Sequence, residues 1–587
     1  MRFLCGLFVA ATISAQTQII PLKDIRPGMK GIGKTVFAGT RIESFDVEVL
    51  GVLENIGPRQ SLILARLSGG PLAQTGVMQG MSGSPVYING RLAGALAMGF
   101  AFSKEPIAAI RPIEDMLRVE TAGPRPPVRL AGPVGSDGKL TAVLPPREDV
   151  LAAGERMVDI ATPLSFGGFT RNTIEHFAPQ LRSLGLEPLQ GVSGGSRAQP
   201  SGGPPGTVEP GAMITVQLIS GDLSLGADGT VTYVDGNRML AFGHRFLAVG
   251  ITALPFSRAE VLTLIPNLAS SFKISSARDW LGTITQDRSV GVAGEVGRPA
   301  GMIPVSISVT DRDATSPAPF NYSLRVVNDR LLSPFLLQMA VFSAIDATER
   351  TTGDASYTVT GEVEFQGGAA PLKLDNMYSG DFNLASQVSL ATAVPVAYVL
   401  QSGFDTLQLK RVALNVQSFS RKRQVQIDQL WPSRWEVHPG EAVDLKVVLA
   451  GENALEITRK ASYRVPLGAP LGPLQFTAAD AATTNLTEYR QLLSTQPKSA
   501  AQLLSFINGL RPNNKAYIRV WRAEPAYEVQ GEILSDPPPS VALLLSRSQP
   551  ALSATPPVPN SRVAEFEISA GDMVISGSKT VQVEVKE

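Results

Sequence analysis

Asn89-Gly90 stands between two short apolar runs, Val86-Tyr87-Ile88 and Leu92–Met98. A type I′ turn needs positive φ at both central positions, which Asn and Gly tolerate, so the pair predicts a tight antiparallel hairpin. The arrangement returns at Asp235-Gly236, between Thr230–Val234 and Arg238–Phe242. Ile42–Leu53 alternates apolar and polar residues as a half-buried strand does, and Ser61–Leu67 is another apolar run. A chain punctuated in this way folds as short paired strands. Gly (55) and Pro (44) supply turns along all 587 residues. That length exceeds the roughly 250–300 residues one hydrophobic core can serve, so several domains are expected.

Lys+Arg and Asp+Glu balance at 52 each, which leaves no basic field to draw nucleic acid. The cluster Arg421-Lys422-Arg423 reads as a solvated turn. The single cysteine is Cys5, inside a stretch that begins with Arg2, continues through the apolar run Phe3–Ala11 and ends in small residues at Ala15. That pattern reads as a secretory signal, residues 1–15, and places the mature protein in the periplasm, on the cell surface or outside the cell. The run falls short of the ~20 apolar residues of a membrane-crossing helix, and no other run reads as one. Without Cys5, and with three scattered histidines, disulfides, thiol chemistry and a cysteine-based zinc site are not expected. Gly28–Gly33 lacks the Lys-Ser/Thr ending of a phosphate loop, and no cofactor is implied.

Gly80-Met81-Ser82-Gly83-Ser84-Pro85 is the most informative stretch. A nucleophilic serine needs an exposed Oγ on a tight turn and nearby N–H groups, here those of Gly80 and Ser82, aimed at a developing oxyanion. Read alone, the six residues serve equally as a Gly/Ser turn before a strand. A serine hydroxyl also needs a base, and the candidates are His176, His244 and His438. His176 lies in an amphipathic, helix-like patch and His438 precedes a Pro-Gly turn; both read as structural. His244 ends a hairpin strand at Gly243-His244, the place for a general base.

The segments Gln79–Leu96 and Pro112–Leu117, with Thr40–Val52 upstream, resemble the serine half of the stage IV sporulation protein B peptidase family. Gly229–His244 and Ser276–Gly297 resemble its histidine half. The resemblance implies a mainly β fold: a trypsin-like double β-barrel, two six-stranded barrels with the site between them, followed by accessory β-sandwich-like domains with a few short helices. It implies Ser82 as nucleophile, His244 as base, Gly80 and Ser82 as the oxyanion hole, and a protein or peptide substrate. The order departs from the family, since the serine half comes first, as in a circular permutation. The family's aspartate also has no counterpart. Its position matches Ser68, and no Asp or Glu occurs from Ile56 to Lys104. Ser68 is the third member by a neutral hydrogen bond, or an acid comes from the histidine half, such as Asp222 or Asp235. The competing reading is a non-catalytic exported binding or scaffold protein on a degenerate peptidase fold.

The expected organisation is a serine-bearing half over 16–120, a connecting segment and Gly/Pro-rich linker over 121–211, and a histidine-bearing half over 212–300. Accessory β domains follow over 301–470, interrupted by one helix at Pro334–Ala347. A mixed region occupies 471–535, with a helix over Ser499–Leu510, and 536–587 holds a Pro-rich linker and a final β segment. The accessory domains would position a substrate or dock on a cell-envelope protein.

Overall fold

In Arg41–Gly57 (β2) Phe45, Val47 and Val49 are buried while Arg41, Ser44 and Asp46 are exposed, the two-residue period of a strand with one face on a core. In this computed structural model the described residues are 17–57, 60–100, 102–119, 150–152, 155–191, 207–348, 353–494, 497–522 and 561–587, with short pieces between 526 and 558. The signal segment 1–15, the Pro-rich break 121–133, residues 195–206 of the linker and most of 536–559 lie outside them. The fold is mainly β, in several sheets. The chain divides into two units, the first holding residues 1–130, 142–303 and 323–336, the second 131–141, 304–322 and 337–587.

The first unit contains two closed rings of six antiparallel strands. In the first ring Lys30–Ala38 (β1) pairs with β2, β2 with Gln60–Ser68 (β3), and Pro85–Ile88 (β4) with Arg91–Phe100 (β5). Ile107–Pro112 (β6) bridges β3 and β5, and β4 returns to β1, which closes the circle. Phe45, Val47, Ile63, Val86, Leu96 and Ile110 fill it. The second ring runs through Met213–Gly221 (β7), Ser224–Asp235 (β8), Arg238–Ala241 (β9), Gly291–Val296 (β12), Phe272–Arg288 (β11) and Gly250–Ile265 (β10), and β10 closes on β7. Closure leaves neither ring a free edge. Apolar clusters join the two: Val36 with Met213, Ala259 and Val261, and Leu92, Ala95 and Met116 with Leu240 and Ala293.

Asn89 and Gly90 take φ of +50° and +74°, the type I′ geometry their sequence calls for. The second hairpin is shifted by one residue from expectation. Asp235 pairs with Arg238, so the two-residue loop is Gly236-Asn237, and only Gly236 has positive φ, at +61°. Gly at the first central position suits a type II′ turn, which the sequence offers equally well.

In the second unit, Met302–Asp311, Leu409–Phe419, Ala355–Phe365 and Leu372–Gly380 form one ladder, parallel in its first pair and antiparallel in the rest. Beyond residue 424 a four-stranded and a five-stranded sheet turn their apolar faces into one core, with Val443, Leu445 and Val447 from one and Phe476, Ile518 and Val583 from the other. The expected helices occur at Leu332–Thr348 and Ala500–Asn508, the latter capped by the Ser499 side chain. The helix Leu384–Gln401 was not expected. Its Ala, Val, Ser and Thr residues have no polar stripe and read as strand. It is long and apolar enough to cross a membrane, the only such helix among the described residues, and half of its apolar window is buried against two strands of its own ladder. The Arg421–Arg423 cluster is a structural corner: Lys422 pairs with Asp381 and Glu452, and the Arg423 guanidinium lies 3.7 Å from the Phe419 ring centroid.

Candidate active site

The serine turn enters β4 on the first barrel. Gly80 has φ +88° and Gly83 φ +90°, conformations that cost L-residues strain. At Gly83 space forbids a side chain as well, because a Cβ there would lie 2.0 Å from the Thr230 carbonyl oxygen and 2.5 Å from the Phe242 nitrogen. The N–H groups of Met81, Gly83 and Ser84 donate to the carbonyls of Met78, Leu96 and Met81. Those of Gly80 and Ser82 donate to no backbone carbonyl among the described residues. They are the two an oxyanion would need.

The histidine barrel lies on this turn. Thr230 N–H donates to the Ser82 carbonyl at 2.8 Å, and Thr230 Oγ1 donates to the Gly80 carbonyl at 2.9 Å. Thr232 Oγ1 donates to the Gly83 carbonyl at 2.7 Å. Two alternate residues on one face of β8 therefore hold three carbonyls of the turn. Leu96 carbonyl accepts from Gly83 N–H at 2.7 Å, and a Cβ built on Gly243 would stand 3.0 Å from that same oxygen. Ser82-Gly83 and Gly243-His244 thus flank one carbonyl, and the two segments singled out in the sequence meet.

The expected exposure of Ser82 is not found. Ser82 and His244 are both 0% exposed, and Ser82 Oγ has no hydrogen-bond partner. The tight turn forms, but the β8–β9 hairpin covers it. The imidazole is oriented by backbone: His244 Nδ1 stands 2.7 Å from the Arg245 carbonyl oxygen, so Nδ1 donates and Nε2 carries the lone pair. The next residues are fixed by Asp287 on β11, whose carboxylate accepts N–H bonds from Phe246 at 2.9 Å, Leu247 at 2.7 Å and Val249 at 3.3 Å.

The third-member candidates fall elsewhere. Ser68 ends β3, exposed, opposite Asp46. Asp222 is exposed and accepts the Ser323 N–H at 2.6 Å, and Asp235 is exposed at the hairpin end. His176, exposed on the helix Arg171–Ser183, and His438, 3.2 Å from Glu441, are outside the site.

Two more buried charges were missed from sequence. Lys273 on β11 is 0% exposed, donates to Thr35 Oγ1 at 2.8 Å, and runs its chain under Gly80, where a Cβ would stand 3.3 Å from its Cδ. Burial pulls its ammonium down to about 7, against a raising contribution from Asp228. Asp228, also 0% exposed, accepts from Ser275, Thr215 and Ser165; burial pushes it up to about 6, opposed by those hydroxyls and by Lys273. It lines a cavity of about 40 Å³. The signal for these residues was a charge set among apolar, glycine and hydroxyl neighbours, Lys273 within Phe272–Ala277 and Asp228 within Leu225–Thr232, which does not distinguish a buried group from a solvated one. Among the described residues no cluster of His, Cys, Asp and Glu could hold a metal ion.

Residues 8–110 match the family model described as SpoIVB peptidase S55. The matched segment contains Ser82 and the first barrel up to residue 110 of β6; His244 lies beyond it. No curated protein and no solved structure matches the chain.

Proposed function

We propose that this chain, with a SpoIVB peptidase S55 segment over residues 8–110, is an exported serine endopeptidase that uses Ser82 and His244. The observation that carries the reading is the seating of the histidine-bearing hairpin on the serine turn of the matched segment, through Thr230 and Thr232. In the reaction, Ser82 Oγ attacks the scissile carbonyl carbon while its proton passes to His244 Nε2. The N–H groups of Gly80 and Ser82 hold the oxyanion. The imidazolium returns the proton to the amine as the C–N bond breaks, leaving an acyl-serine. Water, deprotonated by the same imidazole, then releases the carboxylate product and restores Ser82. Because Ser82 is fully buried, a substrate strand reaches it only when the covering hairpin gives way, which favours a selective enzyme. The leader-like residues 1–15 support export, and the β domains of the second unit would engage the protein substrate or a cell-envelope partner.

The burial of Ser82, and the absence of a hydrogen bond from its Oγ to the imidazole, favour a second reading: a non-catalytic binding protein on the same fold. Labelling of the purified mature chain with a fluorophosphonate probe separates the two. The peptidase reading expects labelling that is abolished in Ser82→Ala and reduced by a factor of about 10³ or more in His244→Ala. Folded wild type that stays unlabelled supports the binding protein.

A further inference from the structure

The peptide group between Arg245 and Phe246 is engaged at both ends. Its carbonyl accepts from His244 Nδ1 at 2.7 Å, and its N–H donates to Asp287 Oδ1 at 2.9 Å. Asp287 is fully buried, and its other oxygen takes the N–H groups of Leu247 and Val249. A carboxylate, one amide and the imidazole therefore stand in a single hydrogen-bonded line. Hydrogen bonds in such a line polarise one another, so an amide that donates to a carboxylate becomes a better acceptor at its oxygen.

We infer that Asp287 is a positioning residue of the peptidase site, acting on His244 through the 245–246 peptide group in place of a directly bonded aspartate. The inference rests on the reading of Ser82 and His244 as nucleophile and base.

Three consequences follow from the geometry. The carbonyl can only accept, so it holds the proton on Nδ1 and keeps the lone pair on Nε2, where a base needs it. The negative charge of Asp287 favours the imidazolium through an aligned amide dipole, more weakly than direct contact would. The three N–H bonds to the carboxylate keep residues 245–249 in the conformation that aims the carbonyl at the ring.

Burial pushes the Asp287 carboxyl up to about 6; the opposing influences are the N–H groups of Leu247, Phe246, Val249 and Ala248, and no charged side chain is among the causes. Asp287 is therefore ionised, and able to polarise the amide, only as pH rises through about 6.

The test is the fluorophosphonate labelling rate from pH 5 to 9 for the mature wild type, Asp287→Asn and Asp287→Ala. Wild type should gain rate as pH rises through about 6. The variants should label about 10- to 100-fold more slowly, with this limb displaced. A purely structural role would lower the amount of labelled protein and leave the limb in place. A folded Asp287→Asn that tracks wild type overturns the inference while the peptidase reading stands. Wild type unlabelled at every pH removes the peptidase reading, and this role with it. Should both variants fail to fold, ¹⁵N-histidine labelling of wild type decides. The three histidines give three imidazoles, with His244 assigned by its loss in His244→Ala. An Nδ1-protonated His244 supports the inference, and an Nε2-protonated one overturns it.

Discussion

The two barrels of the first unit have the same strand number and the same ring closure, yet they contribute different things. The serine-bearing barrel contributes shape. Its turn depends on glycines at positive φ, and it has no Asp or Glu from Ile56 to Lys104. The histidine-bearing barrel contributes electrostatics, with Asp228, Lys273 and Asp287 all fully buried in it. A turn shaped by close backbone contact fails all at once when an atom is added. A field made of buried ionisable groups changes gradually with pH. Variants in the two barrels should therefore fail in different ways.

The largest effect is expected at Gly83. Alanine there meets the Thr230 carbonyl at 2.0 Å and the Phe242 nitrogen at 2.5 Å on a backbone with φ +90°. Gly83→Ala should cost about 3–5 kcal/mol and abolish probe labelling. Gly76→Ala is the control: its backbone is also one that only glycine adopts freely, at φ +63° and ψ −156°, but nothing lies within 4 Å, so the cost should be strain alone, about 1–3 kcal/mol. Urea unfolding midpoints read both. Equal losses would mean that strain, and not the fit between barrels, governs the turn.

A smaller, pH-dependent effect is expected in the histidine barrel. Lys273 has a folded value lowered to about 7 from 10.5, so between those values the unfolded chain binds more protons and stability rises with pH. Asp228 and Asp287 are raised from 3.8 to about 6, so the folded chain binds more protons in that range and stability falls as pH rises through it. Wild type should be least stable near pH 6–7 and gain toward pH 10, by at most ~1.4 kcal/mol per pH unit. Lys273→Met should remove the alkaline gain while keeping the chain packed beneath Gly80. Melting temperatures across pH 4–10 test this, and a Lys273→Met curve that still climbs above pH 7 would assign the gain to other groups.

The smallest effect is expected at Ser68. It is exposed at the end of β3, so Ser68→Ala should leave the labelling rate within about twofold of wild type, as surface changes usually do. A loss of tenfold or more would return Ser68 to the catalytic group and weaken the case for Asp287.

Much of the site was legible because its parts are local. The serine turn needs glycines a few residues apart, the hairpins need their turn pairs, and His244 follows a hairpin strand by three residues, so each pattern is visible within a short window. Asp287 was not legible. It acts on main-chain N–H groups about 40 residues away, and any side chain can supply those, so no residue spacing records the contact. The burial of Ser82 was likewise hidden, because the threonines that hold its turn against the second barrel, Thr230 and Thr232, look like ordinary strand residues. The helix Leu384–Gln401 escaped for a different reason: its partly exposed face carries Ala, Ser and Val rather than charged residues, so no polar stripe gives it a period.

By itself, then, the sequence determined a mainly β chain, the two hairpins, a Gly-x-Ser-Gly turn and the family that its segment resembles. Period-two burial and positive-φ turns are written in neighbouring residues. The tertiary structure alone decided the closing of each ring, the seating of one barrel on the other, the burial of Ser82 and the line from Asp287 to His244. These depend on which backbone groups meet across long separations, and backbone groups are the same in every residue but proline.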